Sequence, residues 1–213
     1  MADMRIIIAG GHGQIGLRLA ARLTTGAVGL VRNPDHVADV EATGAEAVVC
    51  DLERASVEDV AAILEGADAV VFAAGAGPGS GAARKDTVDR AASVLLADAA
   101  ERAGVGRFIQ ISSMGAGKPP AGGDEVWAAY IKAKTEAEED LRARDLAWTI
   151  LRPGRLTDEP GTGLVRLAPE VERGAVPRDD VAAVVIALLA DPGTARRTLE
   201  LVSGDTPIAD LTP

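Results

Sequence analysis

Ile6-Ile7-Ile8-Ala9-Gly10-Gly11-His12-Gly13-Gln14-Ile15-Gly16 stands near the start of the chain and decides how the rest is read. Three isoleucines run into glycines at 10, 13 and 16, and an amphipathic stretch, 14–23, follows. A short apolar run that stops at glycine and resumes with helical periodicity is a strand turning into a helix. Each glycine has its own physical reason. Gly10 permits the tight turn, Gly13 lets the backbone approach a pyrophosphate, and Gly16 lets the helix pack close to the sheet. The first helical turn, with Gln14 and Ile15, then offers N–H groups and a positive dipole end to the phosphates. A glycine-rich turn without a ligand is the alternative. The placement between a strand and a helix favours dinucleotide binding over it.

Outward from this loop, short apolar runs alternate with helix-period segments. Strands are expected over 5–9, 27–31, 46–50, 69–72, 107–111 and 147–151, and helices over 35–43, 56–64, 87–103 and 127–144. Ser56 is a helix cap with Asp59 completing a capping-box-like pattern. From Pro153 the chain breaks into shorter pieces: strands near 164–168 and 171–175, a helix over 178–190, a strand over 198–202, and a loop-like tail after Gly204. This alternation predicts an α/β fold, a doubly wound parallel sheet of six or seven strands with helices on both faces. The expected organisation is one domain, 1–213, with 155–177 adding a small C-terminal substrate lobe.

Composition bounds the function. The chain has 213 residues, 47% hydrophobic and 25% charged, with a mean hydropathy of +0.13. Its net charge is −10, which repels nucleic acid and anionic membranes. No apolar run is long enough to cross a bilayer, and Ile6-Ile7-Ile8 is too short for a signal peptide. A cytoplasmic protein with a small-molecule substrate, monomeric or homodimeric, is therefore expected. Cys50 is the one cysteine, which excludes an internal disulfide, and it reads as an inert core thiol. His12 and His36 stand in dissimilar settings and make a poor metal pair, so no metal site is expected.

Four further stretches carry chemistry. Arg32 ends the second strand, about 20 positions after the loop, where an NAD-selective site usually has an acidic residue. A guanidinium there suits a 2′-phosphate, which ranks NADP(H) ahead of NAD(H). Asp51-Leu52 follows the third strand, and Asp51 reads either as an acceptor for the adenine amino group or as an ordinary helix-entry residue. Tyr130 and Lys134, four apart on a helix, share one face. An ammonium near a phenol favours its ionised form, so such a tyrosine could exchange a proton with a substrate oxygen. Ser112-Ser113 closes the fifth strand, at the sheet edge where ligands bind in open α/β folds.

Together these stretches resemble the short-chain dehydrogenase/reductase superfamily, most closely its atypical branch related to epimerases and dehydratases. The resemblance rests on 10–16, on Leu30-Val31-Arg32-Asn33-Pro34, on 108–115, on Tyr130-Ile131-Lys132-Ala133-Lys134, and on 148–163. It implies Tyr130 as general acid/base, Lys134 as its partner on the nicotinamide ribose, and Ser113, with Ser112 second, orienting the substrate oxygen. It also implies Ala73, Ala74 and Gly75 lining the ribose and nicotinamide, with Pro153 and Gly154 bordering the ring. The family's fourth catalytic position is usually asparagine. Asp89 stands there in this chain, a departure from a full proton relay, although a carboxylate could hold a water. The substrate lobe would come from 114–127 and 155–177. The resemblance implies an NADP(H)-dependent oxidoreductase acting on a small carbonyl or alcohol. A non-catalytic NADP(H) sensor and a flavin- or quinone-reductase-like enzyme are the alternatives.

Overall fold

The structure, a computed structural model, describes residues 4–23, 25–77, 79–118 and 124–211. Residues 119–123, within the stretch 114–127 expected to contribute to the substrate lobe, lie outside these residues.

β1 (Ile6–Ala9), β2 (Ala27–Val31), β3 (Glu46–Val49), β4 (Ala69–Phe72), β5 (Arg107–Ile111) and β6 (Ala147–Pro153) pair in parallel. Their spatial order is β3-β2-β1-β4-β5-β6. The chain runs outward one way from β1 and the other way from β4, so a crevice opens between them at the carboxyl edge. β1 is buried along its whole length. Its side chains alternate: Ile6 and Ile8 join one core, Ile7 and Ala9 the other. A strand covered on both faces must be apolar at every position, which is why the opening run is continuous rather than alternating.

α1 (Gln14–Arg22), the short α2 (Val37–Glu41) and α7 (Arg178–Ala190) lie on one face, and α3 (Val57–Leu64) and α5 (Ala92–Ala103) on the other. Ser56 accepts from Asp59 N–H and Asp59 from Ser56 N–H, completing the expected capping box on α3. The helix expected over 87–103 starts earlier. α4 (Ala82–Arg84) runs through a π-helical stretch, Lys85–Ala91, into α5. The wide turn buries Lys85, Val88 and Asp89, so its polar side chains face inward where an amphipathic reading places solvent. α6 (Glu125–Arg142) packs against this stretch.

The sheet is wider than expected, with nine strands among the described residues. β10 (Arg197–Ser203) adds parallel to β6, and β8 (Leu164–Ala168) and β11 (Thr206–Pro207) continue it antiparallel. Thus 155–177 divides: β8 joins the main sheet, while β7 (Arg155–Thr157) and β9 (Ala175–Pro177) pair as a separate ribbon. The strand expected near 171–175 forms at β9 instead, because the Val171 N–H donates to the Glu200 carboxylate at 3.0 Å rather than to a strand. The tail after Gly204 is not all loop, since it carries β11 and a 3-10 turn, Ile208–Asp210. Among the described residues no helix is long and apolar enough to cross a membrane.

Candidate functional site

A cavity of about 340 Å³ opens at the crevice beside β1 and β4. Gly10, His12 and Gly13 form its floor, and Ala73 to Ala76 one wall. Gly10 has φ +85°, and a Cβ there would stand 2.7 Å from Ala74 Cα. A Cβ on Gly11 would stand 2.6 Å from Gly29 Cα of β2. Gly11 was not singled out by its spacing, because its requirement comes from a neighbouring strand. Gly16 faces the Gly10 and Gly11 carbonyls, so its missing side chain serves the loop itself more directly than the sheet. Gly13 caps α1 without a side chain and donates its N–H to Gly10 O at 2.9 Å. A turn with no room for side chains, backed by a helix N-terminus, fits a diphosphate.

The far wall is built by the ends of β2 and β3 with α4. Arg32 donates to Glu53 Oε2 at 3.0 Å, Arg84 to the same oxygen at 2.7 Å, and Thr87 to Oε1 at 2.7 Å. The Arg84 and Thr87 bonds, with Arg32 adding least, hold the Glu53 carboxyl below its usual range against the opposing effect of burial. Asp51 and Leu52 both line this wall. Asp51 Oδ1 accepts the Glu53 N–H at 3.1 Å, a turn bond within the loop between β3 and the Ser56 cap of α3, so Asp51 does not enter a helix. Cys50 also lines the cavity, half-buried, so it is a wall residue and not the core thiol expected. Burial, then the Asp51 and Asp59 charges, push its thiol up. His12 and His36, dissimilar in sequence context, stack with ring centroids 3.6 Å apart, and His12 Nε2 lies 2.8 Å from Asp39 Oδ2.

Tyr130, Lys134, Ser113, Pro153 and Gly154 lie outside the cavity's lining, as do Gln14 and Ile15. Gln14 Oε1 accepts from Arg18 at 2.6 Å. Lys134 Nζ stands 3.1 Å from Asp89 Oδ1, and this pair is almost wholly buried. Asp89 Oδ2 accepts the Ala76 N–H at 3.2 Å, and Lys134 also donates to Ile111 O at 3.3 Å. Both oxygens of Asp89 are therefore engaged by the protein, one by the lysine and one by the loop after β4. Lys134 Nζ lies 5.7 Å from the Tyr130 ring centroid, and Lys85 Nζ 5.4 Å. Lys85 donates to Gly77 O at 2.9 Å. Nothing in the sequence pattern marks Lys85, because only the π turn carries it inward.

Of the two serines, Ser112 is spent on structure: its hydroxyl donates to the buried Glu138 at 2.5 Å. Ser113 makes only a long contact, 3.4 Å, to Met114 O. Pro153 O accepts from Met114 N–H at 3.0 Å, and Gly154 N–H donates to Leu201 O at 2.8 Å, so both hold the carboxyl edge together. Glu138 also accepts from Arg142 at 2.6 Å and from Arg152 at 2.9 and 2.6 Å. Burial disfavours the Arg152 charge, yet Glu138 outweighs it and raises the guanidinium's pKa.

Residues 10–192 match the family model described as NAD(P)H-binding. The chain belongs to this NAD(P)H-binding family. It is 40% identical over 211 residues to a Bacillus subtilis protein named as an uncharacterized sugar epimerase, YhfK, covering 97% of this chain and 98% of that one. A Bacillus halodurans structure assigned by name to the NAD-dependent epimerase/dehydratases superposes with TM-score 0.90 at 34% identity, over 97% of both chains. The oxidoreductase ylbE from Lactococcus lactis superposes with TM-score 0.85 at 30% identity, over 97% of this chain and 94% of that one. The glycine floor and the Arg32 wall both line the cavity, and Tyr130 and Lys134 lie outside its lining.

Proposed function

We propose that the chain is an NADP(H)-dependent oxidoreductase that interconverts a small carbonyl and its alcohol, with Tyr130 as the general acid/base. When bound, the dinucleotide supplies or accepts hydride. The chain's own residues bind, orient and move a proton. The glycine loop holds the diphosphate through backbone N–H groups, and Arg32 faces the ribose 2′ position as a cation. Tyr130 Oη gives a proton to the oxygen of a carbonyl being reduced, or takes it from an alcohol being oxidised. Ser113, whose hydroxyl makes only the long contact to Met114 O among the described residues, orients that oxygen. Lys134 keeps Tyr130 and the nicotinamide ribose in register.

The observation that carries this reading is the buried Asp89–Lys134 pair. It fixes a lysine beside the chain's one tyrosine and ties it to the loop after β4. Burying two charges costs several kcal/mol unless they are paired and hydrogen-bonded. A lysine held this way beside a part-buried tyrosine is more than a surface coincidence. The cation at Arg32, with no acidic residue at the end of β2, favours NADP(H) over NAD(H).

The test is turnover of Tyr130→Phe on a panel of small aldehydes, ketones and quinones, beside its NADPH affinity. Carbonyl reduction should fall by about 10²-fold or more while the dissociation constant changes less than about threefold. Unchanged carbonyl turnover would remove Tyr130 from the mechanism. Quinone turnover that survives the change would select the quinone-reductase alternative.

A further inference from the structure

Two guanidinium groups from distant parts of the chain meet on one oxygen atom at the mouth of the cavity. Arg32, at the end of β2, and Arg84, on α4, both donate to Glu53 Oε2, at 3.0 and 2.7 Å. All three residues line the cavity. A point where two guanidinium forks converge is a point where an anionic oxygen is stabilised. In this structure a carboxylate stands there. Thr87 fixes its other oxygen at 2.7 Å, so the carboxylate is anchored rather than loosely placed.

We propose that Arg84 is the second arm of a clamp on the 2′-phosphate of the adenosine ribose, with Arg32 as the first arm and Glu53 holding the two in register. The proposal rests on the NADP(H) reading above and adds the residues that set its selectivity. Each guanidinium commits one N–H group to Glu53. Among the described residues, no other hydrogen-bond partner of either guanidinium is found. Those remaining donors are what a phosphate with three oxygens requires. The charge balance points the same way. With Arg54 paired to Asp51 at 3.7 Å, three guanidinium groups stand against the two carboxylates of Glu53 and Asp51, which leaves a net positive charge at the wall. Asp51 beside them turns one oxygen onto the Glu53 N–H, and Asp39 is occupied by His12. A neutral 2′-hydroxyl gains little from this field, whereas a phosphate gains most. Glu53 also moderates the clamp, since its charge opposes any second anion.

The experiment measures dissociation constants of NADPH and NADH, by calorimetry, for the wild-type protein, Arg84→Ala, Arg32→Ala and Glu53→Gln. The Arg84 side chain is 41% exposed, so its removal should leave the melting temperature nearly unchanged. Arg84→Ala should weaken NADPH about tenfold and NADH less than about twofold. Glu53→Gln keeps an acceptor oxygen in place and removes its charge, so the preference for NADPH should rise about threefold. Equal losses for both dinucleotides in Arg84→Ala, no loss for either, or a preference that falls in Glu53→Gln, would overturn the clamp. If Arg32→Ala then still weakens NADPH alone, the clamp fails while the NADP(H) reading stands. A wild-type protein that binds NADH as well as NADPH removes both.

Discussion

Cys50 shows how a side chain's role is decided by what it faces. It ends an apolar run, as a core residue does, yet it lines the cavity beside β1 and β4 and is half-buried. Burial raises its pKa, and the carboxylates of Asp51 and Asp59 add to this, so little thiolate exists near neutral pH. Since the thiolate is the reacting form, alkylation by iodoacetamide should be slow at neutral pH and quicken as pH rises. Saturating NADPH should then slow it further, at least about fivefold, by covering that wall. Mass spectrometry reads both effects. Alkylation at neutral pH as fast as that of a free thiol, or indifference to NADPH, would show that the wall is open or that the dinucleotide lies elsewhere. The same lesson holds for the catalytic candidates. Lys134 follows from its spacing to Tyr130 and Asp89 from the family resemblance, and their burial together makes them a charge pair first.

α6 is an element with one chemical stripe. Tyr130, Lys134, Glu138 and Arg142 fall every fourth residue along it. The first two face the candidate catalytic region. Glu138 is fully buried and gathers Ser112, Arg142 and Arg152, which pins the helix to the ends of β5 and β6. Glu138→Ala would leave Arg152 buried without its carboxylate, and should cost about 3–5 kcal/mol of unfolding free energy. Urea unfolding checks this, and a loss below about 1 kcal/mol would mean that water or Glu200 replaces the lost partner. The Tyr130 to Lys134 spacing was readable because a helix repeats every 3.6 residues. The role of Glu138 was not, because its partners arrive from two other strands. The π turn was equally hidden. No local residue pattern announces it, and it shifts the helix start from the expected 87 to Ala82 and turns Lys85 and Asp89 inward.

Across the whole molecule, the central sheet was legible because burial on both faces forces continuous apolar runs, and those are visible in sequence. β1 to β6 fall at or within two residues of their expected positions, and α7 spans the expected 178–190. The edge beyond β6 was not legible. β8, β10 and β11 are held by pairings between segments distant in sequence, and short pieces with prolines carry no periodic signal. The site divides in the same way. The glycine floor and Arg32 follow from local spacing, whereas Glu53, Arg84, Lys85 and Gly11 matter only through contacts made by the fold. Arg107 does the corresponding work at the opposite edge of the sheet. It donates to Ala147 O, Thr149, Leu188 O and Thr194, and so joins β5, β6 and α7 behind the site.

That architecture has one purpose on this reading, which is to present a side-chain-free turn to a diphosphate at the crevice between β1 and β4. Isothermal titration of the protein with NADPH tests it most directly, run beside the same titration of Gly11→Val. The wild-type protein should bind one equivalent saturably and melt at a higher temperature at saturation, by mass action. The valine variant, whose side chain collides with Gly29 and displaces the turn, should lose that heat. Absence of heat and of any melting shift with both NADPH and NADH in the wild-type protein would contradict the account.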